Sequence, residues 1–130
     1  MQAALKKMRF QPDMSVQIFG CPEDLVSAFS EAGIVANVPV ESAAFTLVFC
    51  EQRADFDRLV PPIMDGIPFD SLLWIAYPKG TSKRYKSDLN RNAMWELLQA
   101  WDLRPVTQIA IDADWSGMRF RPNAVVKSSK

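Results

Sequence analysis

The sequence predicts an α/β fold: three layers built around a mostly parallel sheet that ends in an antiparallel hairpin. Three observations carry this. Residues 45–50 and 71–77 are continuous apolar runs of strand length, helical patterns precede, separate and follow them, and two strand-like segments joined by a short turn close the chain. Apolar runs without alternation fit strands covered on both faces. Strands alternating with helices imply right-handed crossovers that place helices on both sides of the sheet.

Residues 3–8 hold one or two helical turns, which must dock to persist. Pro12 and Asp13 form a turn before a short strand at 15–19, ended by Gly20. Pro22 suits the first turn of a helix and Glu23 and Asp24 its positive end, while Leu25, Val26, Phe29 and Ala32 recur at helical spacing up to Gly33. Residues 34–40 read as a short edge strand whose pairing Pro39 limits. Residues 45–50 are the interior strand. A helix over 54–60 turns Phe56, Leu59 and Val60 inward until Pro61 and Pro62 end or kink it, with a further turn at Ile63 and Met64. After the strand at 71–77, Ser87 or Asp88 caps the best helix, which runs to about Trp101 with Leu89, Ala93, Leu97, Leu98 and Trp101 as its stripe. Strands at 106–111 and 117–121 form the closing hairpin. Residues 1–126 make one domain and 127–130 a frayed tail.

Of the 130 residues, 48% are hydrophobic and 23% charged, the balance of a globular domain rather than a disordered segment. No apolar run approaches the roughly 20 residues that span a bilayer. The first ten residues also lack the apolar stretch and cleavage site of a secretory signal, so a cytoplasmic protein with no membrane partner is expected. The chain has no histidine, which excludes Ser-His-Asp and Cys-His catalysis and most zinc sites; no metal is expected. Cys21 and Cys50 are expected as free thiols. They lie close in space if their strands are neighbours, and a helix start is a setting that lowers a thiol pKa, although inert buried cysteines are commoner. The net charge of zero hides an asymmetry: residues 1–70 hold five basic and ten acidic residues, and residues 71–130 ten basic and five acidic. That split fits a bipolar surface and no nucleic-acid partner.

The order strand–helix–strand–helix–strand–helix–hairpin resembles a class I methyltransferase with its middle trimmed away, best over the second half of the chain. Within that half, residues 73–80 (Leu-Trp-Ile-Ala-Tyr-Pro-Lys-Gly) and 112–122 (Asp-Ala-Asp-Trp-Ser-Gly-Met-Arg-Phe-Arg-Pro) are similar to a family of small bacterial proteins that carries only a domain-of-unknown-function label. The resemblance implies a Rossmann-like fold and brings no activity with it. Active methyltransferases bind S-adenosylmethionine on a Gly-rich turn after the first strand, where the backbone approaches the ligand closely. An acidic residue at the end of their second strand holds the ribose. Here the first turn, residues 19–24, has one glycine, a proline and two acids, and Glu41 is the residue available for the ribose. No cofactor is predicted on the leading reading; S-adenosylmethionine belongs to the alternative.

The basic loop at 79–91 carries Lys79, Lys83, Arg84, Lys86 and Arg91 against Asp88 alone. It leaves the C-terminal end of a buried strand and enters a helix, the edge at which open α/β sheets bind ligands and unpaired N–H groups meet anions. Lys79, Lys83 and Arg84 would supply charge, and Ser87 with the helix N-terminus hydrogen bonds, to an anionic small molecule. A solvated lysine-rich loop is the competing reading, and the earlier glycine of a P-loop is missing. Asp112 and Asp114 are expected to satisfy backbone N–H groups of the hairpin turn, in preference to metal or acid–base work. Trp74 and Trp101 pack inside. Trp95, beside Met94, is the candidate homodimer contact, and Trp115 either covers the sheet edge or faces a protein partner. The leading expectation is a protein without catalysis that binds an anionic small molecule or a protein partner at the C-terminal strand edge. The alternatives are a diverged S-adenosylmethionine-dependent methyltransferase using the 20–24 edge, and a structural or regulatory subunit working through Trp95 or Trp115 without a ligand.

Overall fold

A computed structural model describes residues 2–11, 13–34 and 38–126. Five strands form one sheet in the order β1 (Val16–Phe19), β2 (Phe45–Phe49), β3 (Leu72–Pro78), β5 (Trp115–Pro122), β4 (Leu103–Ala110). The first three pair in parallel, and β5 runs antiparallel to both β3 and β4. The expected hairpin is present, and it folds so that its second strand, not its first, lies against β3. The sheet is therefore mixed, with its parallel part at the start of the chain.

Every side chain of β2 is buried, as an unbroken apolar strand between two neighbours requires. Leu5 and Met8 at α1 (Gln2–Lys7) and Leu25 and Phe29 of α2 (Glu23–Glu31) pack on Phe45, Leu47, Phe49 and Trp74 on one face. On the other, Phe56 of α3 (Arg53–Leu59), Ile63 of α4 (Pro61–Met64) and Met94 and Leu98 of α5 (Arg91–Leu98) pack on Val48, Ile75, Tyr77 and Phe120. Three layers result. The Trp74 indole N–H, wholly buried, donates to the Met8 carbonyl at 3.1 Å, which docks a helix too short to persist alone.

Several boundaries differ from the sequence reading. No strand forms at the described residues of 34–40; Val40–Ser42 is a 3₁₀ turn, and 35–37 lie outside the described residues, as does the expected tail at 127–130. Gln17 takes the place of a neighbouring strand. Its amide oxygen accepts from the Ile18 N–H at 2.9 Å and its amide nitrogen donates to the Val38 carbonyl at 2.8 Å. Val26, placed on the apolar stripe, is exposed. Helix α5 starts two to three residues later than expected, capped by Asn90, whose side chain accepts from the Ala93 N–H at 2.8 Å. It gives way to a 3₁₀ turn at Gln99–Trp101 and stops at Asp102 in the left-handed region (φ 58°). On the outer strand β4, the register with β5 slips between Pro105 and Thr107, leaving Val106 as a bulge. Among the described residues, no helix is long and apolar enough to cross a membrane.

Candidate functional site

The C-terminal ends of β1, β2 and β3 converge on a cleft of about 360 Å³. Open α/β sheets take their ligands at this edge. Its floor is aromatic: Trp115 stacks edge-on against Phe49 with ring centroids 5.2 Å apart and lies 5.1 Å from Tyr85. The turn after β1 supplies Gly20, Pro22, Glu23 and Asp24, the segment after β2 supplies Glu51, Asp55 and Arg58, and the loop after β3 supplies Arg84 and Tyr85.

The polar wall is mostly engaged with itself. Arg84 donates to Asp24 at 2.7 Å and lies over the Tyr85 ring at 5.3 Å from its centroid. That hydrogen bond is the main reason the Asp24 carboxyl sits below its ordinary range. Arg58 donates to Asp55 at 3.1 Å, and Asp55 also accepts from the Glu51 and Gln52 N–H groups at 3.1 and 3.0 Å. Burial pushes the Asp55 carboxyl upward, but the Gln52 N–H and Arg58 together outweigh it and hold it low. Glu23 and Glu51 make no ion pair among the described residues.

The basic loop is placed differently from the expectation. Ser87 does not cap a helix: its hydroxyl donates to the Glu51 carbonyl and accepts from the Leu89 N–H at 3.0 Å. Asp88 accepts from the Arg53 N–H at 2.6 Å, so the start of α3 is already capped by the loop's own carboxylate. Lys83 is exposed, Lys79 is half-buried, and Arg84 is tied to Asp24. The four residues assigned to an anion are thus not gathered around a helix N-terminus. Asp112 accepts from the Asp114 and Trp115 N–H groups, both at 2.8 Å, as the turn reading expects. Asp114 accepts from the Ser82 hydroxyl at 2.8 Å and ties the hairpin turn to the loop.

Of the two readings of Trp115, the structure has the covered one rather than a ring standing out towards a protein partner: it is 3% exposed and held between Phe49 and Tyr85 at the base of the cleft. Met94 is wholly buried, while Trp95 is 47% exposed and lines a groove with Val106 and Arg91. Cys21 and Cys50 follow neighbouring strands, yet Cys50 belongs to the core on the α3–α5 side and Cys21 packs on the α1–α2 side. Burial, with Asp24 adding, pushes the Cys21 thiol up to about 11; burial, with Asp55 adding, pushes Cys50 up to about 12. Neither has the setting of a nucleophile. Among the described residues, no cluster of metal-ligating side chains occurs. The cleft residues that sequence reasoning missed, Glu51, Asp55, Arg58 and Tyr85, carried one usable signal: the end of the second apolar run lies on the same ligand edge as the end of the third.

These features define an α/β protein with a mixed five-stranded sheet and a cleft at the C-terminal ends of its parallel strands. A solved structure of an RNA methyltransferase from Salinibacter ruber, in complex with S-adenosyl-L-homocysteine, is similar in fold. It matches with a TM-score of 0.51 and 11% sequence identity over 99% of this chain and 94% of that one. No protein-family model matches the chain, and no curated protein matches it significantly.

The residues do not fit an adenosyl cofactor in the way active methyltransferases hold one. Gly20 has the positive φ (68°) of a tight turn, but the space a Cβ would take lies 2.6 Å from the Phe49 carbonyl oxygen and 2.9 Å from Leu59 Cδ1. The close approach that glycine permits is to this chain, not to a ligand. Glu41 lies in the 3₁₀ turn that leads into β2, with its side chain against Gly66 ahead of β3, so it sits at the opposite end of the sheet from the cleft.

Proposed function

We propose that the protein is a binding module on a methyltransferase-like fold, taking a cationic ligand with an apolar or aromatic body at the β1–β3 cleft. One observation carries the reading. Four carboxylates (Glu23, Asp24, Glu51, Asp55) share the cleft with two guanidiniums that already have partners, and its floor is Phe49, Tyr85 and Trp115. An anion there would add to an existing excess of negative charge, whereas an ammonium or sulfonium group gains from the carboxylates and from the aromatic rings. This reading keeps the strand edge expected from the sequence and reverses the charge of the ligand. Methyl transfer is the second reading, favoured by the shared fold and by the position of the cleft.

Thermal shift at fixed ionic strength tests both. S-adenosylmethionine, S-adenosylhomocysteine, spermidine and arginine amides are compared on the wild type and on Glu23→Gln/Glu51→Gln. A ligand at about 100 times its Kd adds roughly 2.7 kcal/mol, which moves a domain of this size by several degrees. Cationic compounds should shift the wild type and not the double variant. Equal shifts with S-adenosylmethionine and S-adenosylhomocysteine, whose sulfur is uncharged, and none with the amines, would replace the binding reading with the transferase.

A further inference from the structure

A second charged cluster lies at the end of the sheet away from the cleft, on the face that α1 covers. Arg119 and Arg121 are two apart on β5 and so project to one face. Arg121 is in register with Arg104 on β4, and Arg119 with Trp74 on β3. The Trp74–Met8 hydrogen bond brings Arg9 to the same place. Arg9 occupies the position after α1 at φ 65°, where its N–H and that of Phe10 donate to the Lys6 and Leu5 carbonyls at 3.1 and 3.0 Å. Glycine usually fills that left-handed position, and an arginine there is strained. Strain held at a charged residue points to a task for its side chain.

The cluster is short of negative charge. Asp70 is committed to Arg121 by two parallel hydrogen bonds, at 2.8 and 2.7 Å. Arg104 donates to the neutral Asn123 amide oxygen at 2.6 Å. Arg119 has no ion-pair partner among the described residues, and its Nε–H is buried with no acceptor among them. Burial, and next the Arg121 and Arg9 guanidiniums, push Arg119 down from the usual arginine range. A buried donor on a charged group flanked by like charges is unfavourable until an acceptor that carries negative charge arrives.

We infer that Arg119, flanked by Arg9 and Arg121, binds a tetrahedral oxyanion, the phosphate group of a small ligand. The planar guanidinium fork suits two phosphate oxygens at once, and Arg9, exposed and free to swing, closes on a third. This site stands independently of the cleft.

The test is a melting series in sodium phosphate against sodium chloride at matched ionic strength, on the wild type, Arg119→Gln, Arg9→Gln and Lys83→Gln. Phosphate should raise the wild-type Tm by several degrees once it exceeds its Kd about 100-fold. Arg119→Gln should melt at or above the wild type in chloride, since it no longer carries the uncompensated charge, and should lose the phosphate response. Arg9→Gln, altered only at an exposed side chain, should weaken phosphate several-fold, and Lys83→Gln should respond as the wild type does. A wild type indifferent to phosphate, or an equal rise in all four proteins, would overturn the assignment.

Discussion

Arg84 and Asp24 meet at 2.7 Å although sixty residues separate them, and their contact joins the loop after β3 to the first turn of α2 across the mouth of the cleft. Both side chains are about half exposed, so the pair contributes little to global stability. Its effect is local and visible in titration. Because the Asp24 carboxyl is held low chiefly by Arg84, the contact is complete above the ordinary aspartate range and is lost as pH falls through the lowered value. In Arg84→Ala the Asp24 carboxyl should titrate higher by NMR, and amides in residues 79–90 should exchange faster. An unchanged Asp24 titration would show that the pair does not persist in solution.

Gly20→Ala should destabilise the fold by about 2–4 kcal/mol, combining a left-handed φ with a Cβ driven against the Phe49 carbonyl. Urea unfolding measures it. A loss under about 0.5 kcal/mol would mean that the β1 turn relaxes freely and that the space beside it is open to a ligand after all.

Thr46, the second residue of β2, is wholly buried, and its hydroxyl has no partner among the described residues. Thr46→Val keeps the shape and removes the unpaired group, so it should stabilise by about 1–2 kcal/mol. A rise in Tm with an unchanged slope against denaturant is the expected record; a fall would reveal a hydrogen bond to the Thr46 hydroxyl in solution.

Cys50 should resist alkylation at pH 8 in the folded protein, because burial holds its thiol protonated up to about 12 and excludes reagent. Cys21, half-buried and raised to about 11, should react slowly, and both should label together once the chain unfolds. Mass spectrometry after timed iodoacetamide treatment distinguishes the two sites. Rapid labelling of Cys21 at pH 8 would restore it as a nucleophile.

How far the sequence could be read depended on whether the deciding interactions were local. The β2 and β3 runs were legible because an interior strand must be apolar on both faces, and the Asp112 turn because an aspartate bonds N–H groups two and three residues ahead. The start of α5 was not, since Ser87, Asp88 and Asn90 are all good caps. The choice was made by the segment that leads into α3: the Glu51 carbonyl accepts from Ser87 and the Arg53 N–H donates to Asp88, which leaves Asn90 to cap. The burial of Trp115 likewise depends on Phe49 and Tyr85, far away in the chain. The sign of the cleft's charge escaped because five basic residues cluster in one stretch of which Arg84 alone lines the cleft, whereas its four acids come from two other strand ends.

A sheet of five strands has two rims, and each is a template for polymerisation with other copies of the chain. The Gln17 side chain occupies the outward Ile18 N–H on one rim, and on the other Pro105 removes a donor while the bulge at Val106 breaks the spacing that an incoming strand would need. Neither rim therefore offers a regular row of free donors and acceptors to another copy. One amide side chain and one slipped residue do the work that a covering strand would do elsewhere.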